Sequence, residues 1–240
     1  DIHRLLGLGL FLESTTHKQS LKGAFITLEG IDGCGKTTQA QLLAERLRQL
    51  GTLVVETREP GGTAVGRALR QVLLDPDNLD LAPETELLLF LADRLQHLVE
   101  LIKPALARGD TVICDRFHDS TVAFQKFGRQ LDFSTVESVV RNKIEPATPD
   151  LTFWMDLTPC LARERIRVRH KVSGRDGAPE DAEATRLENE AEAFHKRVQN
   201  GYEVLYGTYP QRIVKIDAAA GIGEVAEQVW ALLTERFDVP

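Results

Sequence analysis

The chain has 240 residues, of which 42% are hydrophobic and 27% are charged, so it fits one globular domain and is not intrinsically disordered in composition. Its formal net charge of −7 argues against a general nucleic-acid binder, because such proteins are usually basic. A small phosphorylated substrate needs only a local cluster of positive charge and is compatible with an acidic chain.

Residues 1–22 are predicted to form an N-terminal appendage of unknown role, ahead of a domain that spans residues 23–240. The apolar run at residues 5–12 is too short to cross a bilayer, and no small-x-small cleavage site follows it. No transmembrane segment is predicted anywhere, so we expect no membrane partner.

From residue 24 onward, short apolar runs alternate with helical patterns, which predicts βα units and a mainly parallel sheet. The predicted strands are residues 24–29, 52–57, 111–114, 151–156 and 212–216. The predicted helices are residues 38–50, 64–74, 84–107, 134–144, the pieces that flank residues 170–185, and 223–236. The sequence therefore predicts an α/β fold, in which helices cover both faces of a five-stranded sheet in one three-layer domain.

Residues 170–184 (HKVSGRDGAPEDAEA) break this regularity, because they contain two glycines, a proline and almost nothing to bury. Such a composition predicts a mobile loop. Two interpretations stay open. The segment is either a solvated connector between helices or a lid over an active site, and the lid would comprise about residues 168–186.

A phosphate-binding motif follows the first predicted strand, since residues 30–37 (GIDGCGKT) match G-x-x-x-x-G-K-[ST] between a strand and a helix. Backbone N–H groups of such a loop surround phosphate oxygens, and the following helix adds the positive end of its dipole. Lys36 can contact the β- and γ-phosphates of ATP, and the Thr37 hydroxyl can ligate Mg²⁺. The predicted ATP-binding residues are Gly30, Ile31, Asp32, Gly33, Cys34, Gly35, Lys36, Thr37 and Thr38.

A GTPase would also need an N-K-x-D motif after a buried strand. The nearest match, residues 142–145 (NKIE), ends in the wrong carboxylate and lies in a helical pattern. The sequence also has no separate D-x-x-G switch after the second strand. Both observations argue against a GTPase.

The third predicted strand ends in Asp115 and Arg116. A carboxylate at the end of a strand beside a P-loop is where a Mg²⁺-organising Asp sits, so Thr37 and Asp115 are the predicted metal ligands. Arg116 offers a planar fork suited to a phosphate. The alternative is a surface ion pair between the two residues.

Several blocks in order resemble bacterial thymidylate kinases over nearly all of residues 22–236. They are residues 25–33 (FITLEGIDG), 57–63 (TREPGGT), 87–94 (LLLFLADR), 115–125 (DRFHDSTVAFQ), 186–188 (RLE), 194–195 (FH) and 201–202 (GY). The resemblance implies a nucleoside-monophosphate-kinase fold with a lid. It also implies transfer of the ATP γ-phosphate to dTMP, giving dTDP and ADP in dTTP biosynthesis, usually by a homodimer.

The resemblance also implies roles for individual residues in binding the acceptor. Asp32 would hold the sugar 3′-hydroxyl, and Arg116 and Arg58 the acceptor phosphate. Phe90 would stack on thymine, while Arg94, at i+4 on the same helix face, would reach its carbonyl edge. The base and sugar would also contact Ser120, Thr121 and Phe124. For Phe90 and Phe124, the alternative interpretation is an ordinary buried aromatic residue.

A dense basic stretch precedes the predicted lid, and alternate positions on a helix point in opposing directions, so its arginines cannot all reach one ligand. Residues 31–34 of the P-loop include no basic residue, and in the resembled family such forms take a catalytic arginine from the lid. Arg175 is our candidate, with Arg169 and Arg186 as alternatives. The predicted catalytic set is Lys36, Asp115, Arg116 and Arg175.

The expected partners are ATP, Mg²⁺ and dTMP, with no nucleic acid. Cys34, Cys114 and Cys160 form no CxxC pair, which favours a reducing cytoplasm. Three alternatives to a dTMP kinase are a P-loop kinase for another nucleoside monophosphate, a non-catalytic nucleotide-binding regulator and a nucleic-acid-dependent ATPase. The combination of Lys36, Thr37, Asp115 and Arg116 argues against the regulator, and the acidic charge argues against the ATPase.

Overall fold

The computed structural model describes residues 18–134, 136, 139–144, 147–173 and 185–239. Its strands, in chain order, are β1 (Gln19–Ser20), β2 (Phe25–Glu29), β3 (Val54–Arg58), β4 (Thr111–Asp115), β5 (Leu151–Asp156), β6 (Ile213–Asp217) and β7 (Phe237–Asp238). The central sheet has five parallel strands in the spatial order β3-β4-β2-β5-β6. This confirms the predicted α/β class and parallel sheet, and the predicted strands differ from the observed ones by at most two residues at an end.

Strands β2 and β5 lie inside the sheet and have buried apolar side chains on both faces, as parallel strands covered by helices require. Strand pairing fixes where the carboxyl ends of β2, β3 and β4 lie. Leu28 of β2 and Arg58 of β3 are both in register with Asp115 of β4. The ends of these three strands therefore meet at one edge, which is where open α/β sheets bind ligands.

Helices cover the sheet and connect its strands. In chain order they are α1 (Lys36–Gln49), α2 (Ala64–Leu74), α3 (Pro83–His97), α4 (Lys103–Arg108), α5 (His118–Thr121), α6 (Pro159–Ser173), α7 (Glu192–Thr208) and α8 (Ile222–Arg236). Wider π-helical turns at Leu98–Ile102 join α3 to α4, those at Val122–Gly128 continue α5, and a third set spans Val140–Ile144.

Helix α1 is fixed to the sheet by residues spaced three and four apart, among them Ala40, Leu43 and Leu47, whose side chains are buried. Full burial of a leucine side chain stabilises a fold by about 1.5–3 kcal/mol. The helix that starts at Lys36 is therefore held rigidly, and the loop before it has a fixed position.

Two predictions about helices are wrong in detail, and one helical segment was missed. The predicted helix at residues 84–107 is interrupted by the π-helical turns after His97. The predicted helix at residues 134–144 is too long, because Ser134 and Val136 lie in turns. The helical segment from His118 to Gly128 was not predicted, since its sequence lacks a clear apolar period and it is stabilised by tertiary packing of Ala123 and Phe124.

The loop predicted at residues 170–184 begins later than expected, because α6 continues to Ser173. Residues 170–173, most of which are polar, thus continue the helix into the stretch that was expected to be a loop. Residues 174–184, which include Arg175, lie outside the described residues, so the choice between connector and lid stays a prediction.

The two ends of the described chain pair with each other. Strands β1 and β7 form a small parallel sheet, and Leu21 and Phe237 beside them are buried in the main core. Residues 18–22 of the predicted appendage thus pack against the domain. Residues 1–17 lie outside the described residues.

Candidate active site

A cleft of about 1240 Å³ opens at the carboxyl edge of the sheet. Typical small-molecule pockets measure roughly 300–1,000 Å³, so this cleft has room for more than one small ligand. Cationic side chains outnumber acidic ones along its walls, although the whole chain is acidic. The cations are Lys36, Arg58, Arg67, Arg70, Arg94, Arg116, Arg165 and Arg169, and the acids are Asp32, Glu59, Asp75, Asp115 and Glu188.

The P-loop forms one wall of this cleft. Gly33 has a φ of 81°, and a Cβ there would lie 2.6 Å from the carbonyl oxygen of Ala162, so the base of α6 packs directly on the loop. The predicted ATP-binding residues that line the cleft are Asp32, Gly33, Gly35, Lys36, Thr37 and Thr38. Gly30, Ile31 and Cys34 do not line it; the side chains of Ile31 and Cys34 belong to the core.

The Lys36 side chain curls over the loop, where its Nζ donates to the Ile31 carbonyl at 2.8 Å and lies 3.5 Å from Cys34 Sγ. Among the interactions found in the described part of the chain, it has no carboxylate partner. Its charge is therefore available to phosphate oxygens.

Thr37 and Asp115 meet at the mouth of the loop, as predicted for a metal site. Thr37 Oγ1 donates to Asp115 Oδ2 at 2.5 Å, while Asp115 Oδ1 is buried and has no hydrogen-bond partner within the described residues. Mg²⁺ usually binds one or two protein oxygen ligands together with substrate phosphates and water. The hydroxyl, the carboxylate and the unpaired buried oxygen fit such an ion.

Arg116 links the P-loop to the end of β4. Its φ of 75° turns the side chain back across the loop, where Nη2 donates to Asp32 Oδ1 at 2.7 Å and Nη1 donates to the Gly30 carbonyl at 2.9 Å. Burial raises the pKa of Asp32, but the charges of Arg116 and Lys36 outweigh it and hold that pKa at about 2. Both predicted residues lie in the cleft, and Asp32 is ionised at neutral pH.

Beneath this pair lies Glu29, which the sequence did not single out as a site residue. Its buried carboxylate accepts hydrogen bonds from Phe117 N at 2.7 Å, Ser120 Oγ at 2.6 Å and Tyr202 Oη at 3.0 Å. Burial, followed by the charge of Asp119, raises the pKa of Glu29 to about 7. A charged residue that ends a mainly apolar strand was the signal available in the sequence.

The opposite wall carries the residues expected to face a base. Phe90 and Arg94 both line the cleft, which confirms that they share one face of α3. Arg94 is almost fully buried; its Nε donates to Glu59 Oε2 at 2.7 Å and its Nη1 donates to Thr121 Oγ1 at 2.6 Å. These bonds fix the guanidinium in one orientation. Glu59, which orients it, was not predicted as a site residue.

Phe124 lies beside the Arg116 guanidinium, whose carbon is 4.8 Å from the centre of the ring. The ring packs edge-on against Phe194 of α7, with 6.1 Å between ring centres. The sequence left open whether Phe90 and Phe124 face the acceptor or are ordinary buried aromatic residues. Each of them does both, since it packs with the core and also lines the cleft. Arg58 and Ser120 also line it, so all eight predicted acceptor-binding residues are brought together.

The basic helix α6 divides its arginines between two faces, as expected from helical geometry. Arg165 and Arg169 line the main cleft, whereas Arg163 and Arg167 line a separate cavity of about 470 Å³. Arg169 Nη2 donates to Glu188 Oε1 at 2.5 Å. Arg169 is therefore the one of the three candidate lid arginines that is observed in the cleft, because Arg175 lies outside the described residues.

Arg186, the third candidate, does not line the cleft. Its side chain is buried, donates to the Leu73 carbonyl from Nη2 at 3.2 Å and pairs with Glu86 Oε2 at 2.6 Å. Breaking a buried ion pair is strongly destabilising, so Arg186 is held in a structural contact.

The described residues contain no cluster of three or more His, Cys, Asp or Glu side chains that would suit a metal bound by protein alone. No helix found in those ranges has the length and apolarity needed to cross a membrane.

Comparison with known proteins gives a consistent result. A family model described as Thymidylate kinase matches residues 28–229. The chain is 44% identical over 217 residues to a thymidylate kinase of an Exiguobacterium species, covering 90% of this chain and 97% of the relative. It is 46% identical over 215 residues to that of Desulfosudis oleivorans, covering 90% and 98%. The crystal structure of thymidylate kinase from Ehrlichia chaffeensis superimposes with a TM-score of 0.68 at 35% identity, covering 89% of this chain and 99% of that one.

Proposed function

The chain belongs to the thymidylate kinase family and phosphorylates dTMP, and we propose that it does so by direct transfer of the ATP γ-phosphoryl group within the cleft described above. The observation that carries this proposal is that the P-loop and all eight predicted acceptor-binding residues line one cleft. The products are dTDP and ADP. The bond between the γ-phosphorus and its bridging oxygen breaks, and a dTMP phosphate oxygen takes the phosphoryl group.

ATP would occupy the P-loop side. Backbone N–H groups of the glycine-rich loop and the start of α1 surround its phosphates, and Lys36 releases the Ile31 carbonyl to contact the β- and γ-phosphate oxygens. Thr37 and Asp115 would hold Mg²⁺, which when bound neutralises charge on the ATP phosphates. The unpaired Asp115 Oδ1 supports this assignment.

dTMP would occupy the opposite side, with its phosphate beside Arg116 and Arg58. Arg116 is already oriented by Asp32 and Ser120, so its planar fork is ready to grip the phosphate. In the proposed complex Asp32 also accepts a hydrogen bond from the sugar 3′-hydroxyl. Its low pKa favours this bond, because the carboxylate remains ionised.

The base would lie between Phe90 and the end of Arg94. Hydrogen bonds from Arg94 to Glu59, Thr121 and the Phe117 carbonyl fix the orientation of its guanidinium plane. Its remaining N–H donors can reach a thymine carbonyl. Phe90 supplies a flat apolar surface for stacking, and Phe124 packs against the sugar.

Phosphoryl transfer depends mainly on alignment and on positive charge around the migrating group. Lys36, Arg116 and a lid arginine would supply this charge. Arg175 remains our candidate for the lid, and Arg169 already lies in the cleft. Closure of the lid would exclude water, so that dTMP takes the phosphoryl group.

A homodimer is the proposed assembly. Helix α2 packs beside α3, and both leave apolar side chains exposed at helical spacing: Val65 and Val72 on α2, Leu88 on α3, and Val99 just after it. Such unpartnered apolar residues suit an interface with a second copy of this chain. A cytoplasmic location is proposed as well, and the absence of a disulfide among the described cysteines is compatible with it.

The proposed function is tested by incubating the chain with ATP and Mg²⁺ and measuring ADP release with a panel of acceptors: dTMP, dUMP, UMP, CMP, AMP and GMP. We expect dTMP to give the highest kcat/KM. Lys36→Met should abolish transfer without unfolding the chain, because Met keeps an unbranched apolar side chain in this buried position and removes only the ammonium group. A different preferred acceptor would identify another nucleotide kinase, and ATP binding with no transfer would identify a regulator.

A further inference from the structure

A polar network lies behind the acceptor wall and is centred on Glu86 of α3. The Glu86 carboxylate is fully buried. Its Oε1 accepts from Gln125 Nε2 at 2.9 Å, and its Oε2 accepts from Arg129 Nη2 at 2.9 Å and from Arg186 Nη2 at 2.6 Å. We name Glu86, Gln125, Arg129 and Arg186 the Glu86 hub.

The hub joins the two helical segments that carry the proposed acceptor contacts. Glu86 lies one turn before Phe90 on α3, and Gln125 directly follows Phe124. Arg129 adds a second route, because its guanidinium carbon lies 4.8 Å from the centre of the Phe194 ring, against which Phe124 packs. Movement of either aromatic residue would therefore disturb the hub.

The hub also fixes residues 186–190, which lead into α7. The backbone N–H of Arg186 donates to the Leu74 carbonyl at 3.1 Å, while its side chain pairs with Glu86. Arg129 reaches the other end of the same segment, pairing with Glu190 at 2.5 Å. Residues 186–190 are thus fastened at both ends to the acceptor wall.

The contact continues from this segment into the cleft. Glu188 accepts from Arg169 Nη2 at 2.5 Å, and its backbone N–H donates to Thr185 Oγ1 at 3.2 Å. Arg169 and Glu188 both line the cleft. Polar contacts and the backbone of residues 185–188 therefore link α3, beside Phe90, to Arg169 in the cleft.

We propose that the Glu86 hub couples the two substrate sites, with Glu86, Arg129 and Arg186 acting as positioning residues that align Arg169, through residues 186–190, when dTMP is bound. The inference rests on the proposed function, since it assigns ATP and dTMP to the two sides of the cleft. Buried charges are tolerated only when they are fully paired, so the hub permits few arrangements of the segments it joins. In this role Arg186 touches no substrate.

The competing explanation is that the hub only stabilises the fold. Both explanations predict a lower melting temperature when the hub is cut, so stability cannot separate them. The coupling between ATP and dTMP can separate the two explanations. It is the factor by which one ligand changes the affinity for the other, and it is measured on protein that remains folded.

The experiment measures the Kd of dTMP by calorimetry in the presence and absence of a non-hydrolysable ATP analogue with Mg²⁺. It compares the wild type with Glu86→Gln, Arg186→Gln, Arg186→Lys and the double variant Glu86→Gln/Arg186→Gln. Thr111→Val is the matched control, because it removes a buried hydrogen bond to the Leu21 carbonyl at the far end of β4.

We expect the analogue to tighten dTMP binding by at least about fivefold in the wild type and in Thr111→Val, but by less than about twofold in Glu86→Gln and Arg186→Gln. The double variant should be no worse than either single one, because both cut the same contact. Arg186→Lys keeps the charge and should retain part of the coupling, and it serves as the folded test protein if the Gln variants do not fold.

Equal coupling in the wild type and in the folded hub variants would overturn the inference, as would a wild type with no coupling. Neither result affects the proposed function, which fails separately if the wild type does not phosphorylate dTMP.

Discussion

Thr37 and Asp115 are joined by a hydrogen bond of 2.5 Å between Thr37 Oγ1 and Asp115 Oδ2, which leaves Asp115 Oδ1 buried and without a partner in the described structure. A buried unpaired carboxylate oxygen costs free energy unless a ligand satisfies it. The pair therefore has the arrangement of a site that is completed by a cation.

The first prediction follows from this pair. Asp115→Asn removes a negative charge while keeping the shape of the side chain, so Mg²⁺ should enhance ATP affinity less than in the wild type. We expect the enhancement to fall by at least roughly 10–100-fold, the range for residues that only orient the ligands of a metal. Calorimetric titration of ATP with and without Mg²⁺ measures it. Asp110→Asn is the control and should behave as wild type, because Asp110 directly precedes the opposite end of β4 and pairs with Arg108 away from the cleft.

The second prediction concerns Arg116, whose fork contacts Asp32, Gly30 and Ser120. Arg116→Lys keeps the charge but loses the planar geometry, so kcat/KM for dTMP should fall by about 10–150-fold, equivalent to one charged hydrogen bond of about 1.5–3 kcal/mol. Arg46→Lys, at an exposed pair with Glu227, is the matched control. Unchanged dTMP kinetics in Arg116→Lys would mean that Arg116 is structural.

The central sheet and the P-loop could be predicted because each depends on local sequence. Residues 151–156 are mainly apolar and have a proline near each end, and both ends of their strand were predicted correctly. Glu59, in the cleft, and Glu86, behind its wall, could not be predicted as supports of the site, because their partners Arg94 and Arg186 are 35 and 100 residues away along the chain. Sequence periodicity contains no information about such contacts.

The resemblance to thymidylate kinases predicted that the lid supplies a catalytic arginine, but it did not say which arginine. It left Arg169, Arg175 and Arg186 as alternatives, and burial of Arg186 against Glu86 is a tertiary contact that no local pattern indicates. The helical segment at residues 118–128 was missed for the same reason, since packing rather than periodicity stabilises it.

The third prediction separates the two faces of α6. Arg169→Ala should lower kcat, whereas Arg167→Ala, two residues earlier on the opposite face, should have little effect. A loss of about 10³-fold identifies an arginine finger, and Arg175→Ala tests whether that role belongs to Arg175. The measurement is kcat at saturating ATP and dTMP. Small and equal losses in all three variants would show that no arginine among them stabilises the transferred group.

The fourth prediction uses the raised pKa of Glu29. Its pKa rises from 4.5 to about 7 on folding, because burial disfavours the charged form. The unfolded chain therefore releases the Glu29 proton first, and the stability contributed by Glu29 is complete below about pH 4.5 and is lost as the pH rises to about 7. Glu29→Gln cannot ionise and should not show this loss.

The measurement is the melting temperature of both proteins from pH 4.5 to 8. The wild type should lose stability relative to Glu29→Gln up to about pH 7 and then run parallel to it. Asp32 does not interfere, since its pKa of about 2 lies below the range. A difference that is constant at every pH would contradict the raised pKa.

The last prediction concerns the choice of acceptor. The methyl group that distinguishes thymine from uracil is read only by shape, and one methyl in an apolar pocket is worth about 1–3 kcal/mol, or roughly 10–200-fold. We therefore expect a measurable but incomplete preference for dTMP over dUMP. Phe124, buried beside Arg116, leaves an added ribose 2′-hydroxyl without a partner, so ribothymidine monophosphate should be poorer by about 10²-fold.

Two variants separate these contributions. Phe124→Ala should narrow the gap between deoxy and ribo acceptors, because it opens space and admits water where the hydroxyl would lie. Phe90→Ala should weaken every pyrimidine acceptor together, because it removes the stacking surface from a side chain that is only partly buried. The test is kcat/KM for dTMP, dUMP and ribothymidine monophosphate in the wild type and both variants. If Phe124→Ala slowed all three acceptors by the same factor, the ring would support Arg116 and Phe194 rather than select the sugar.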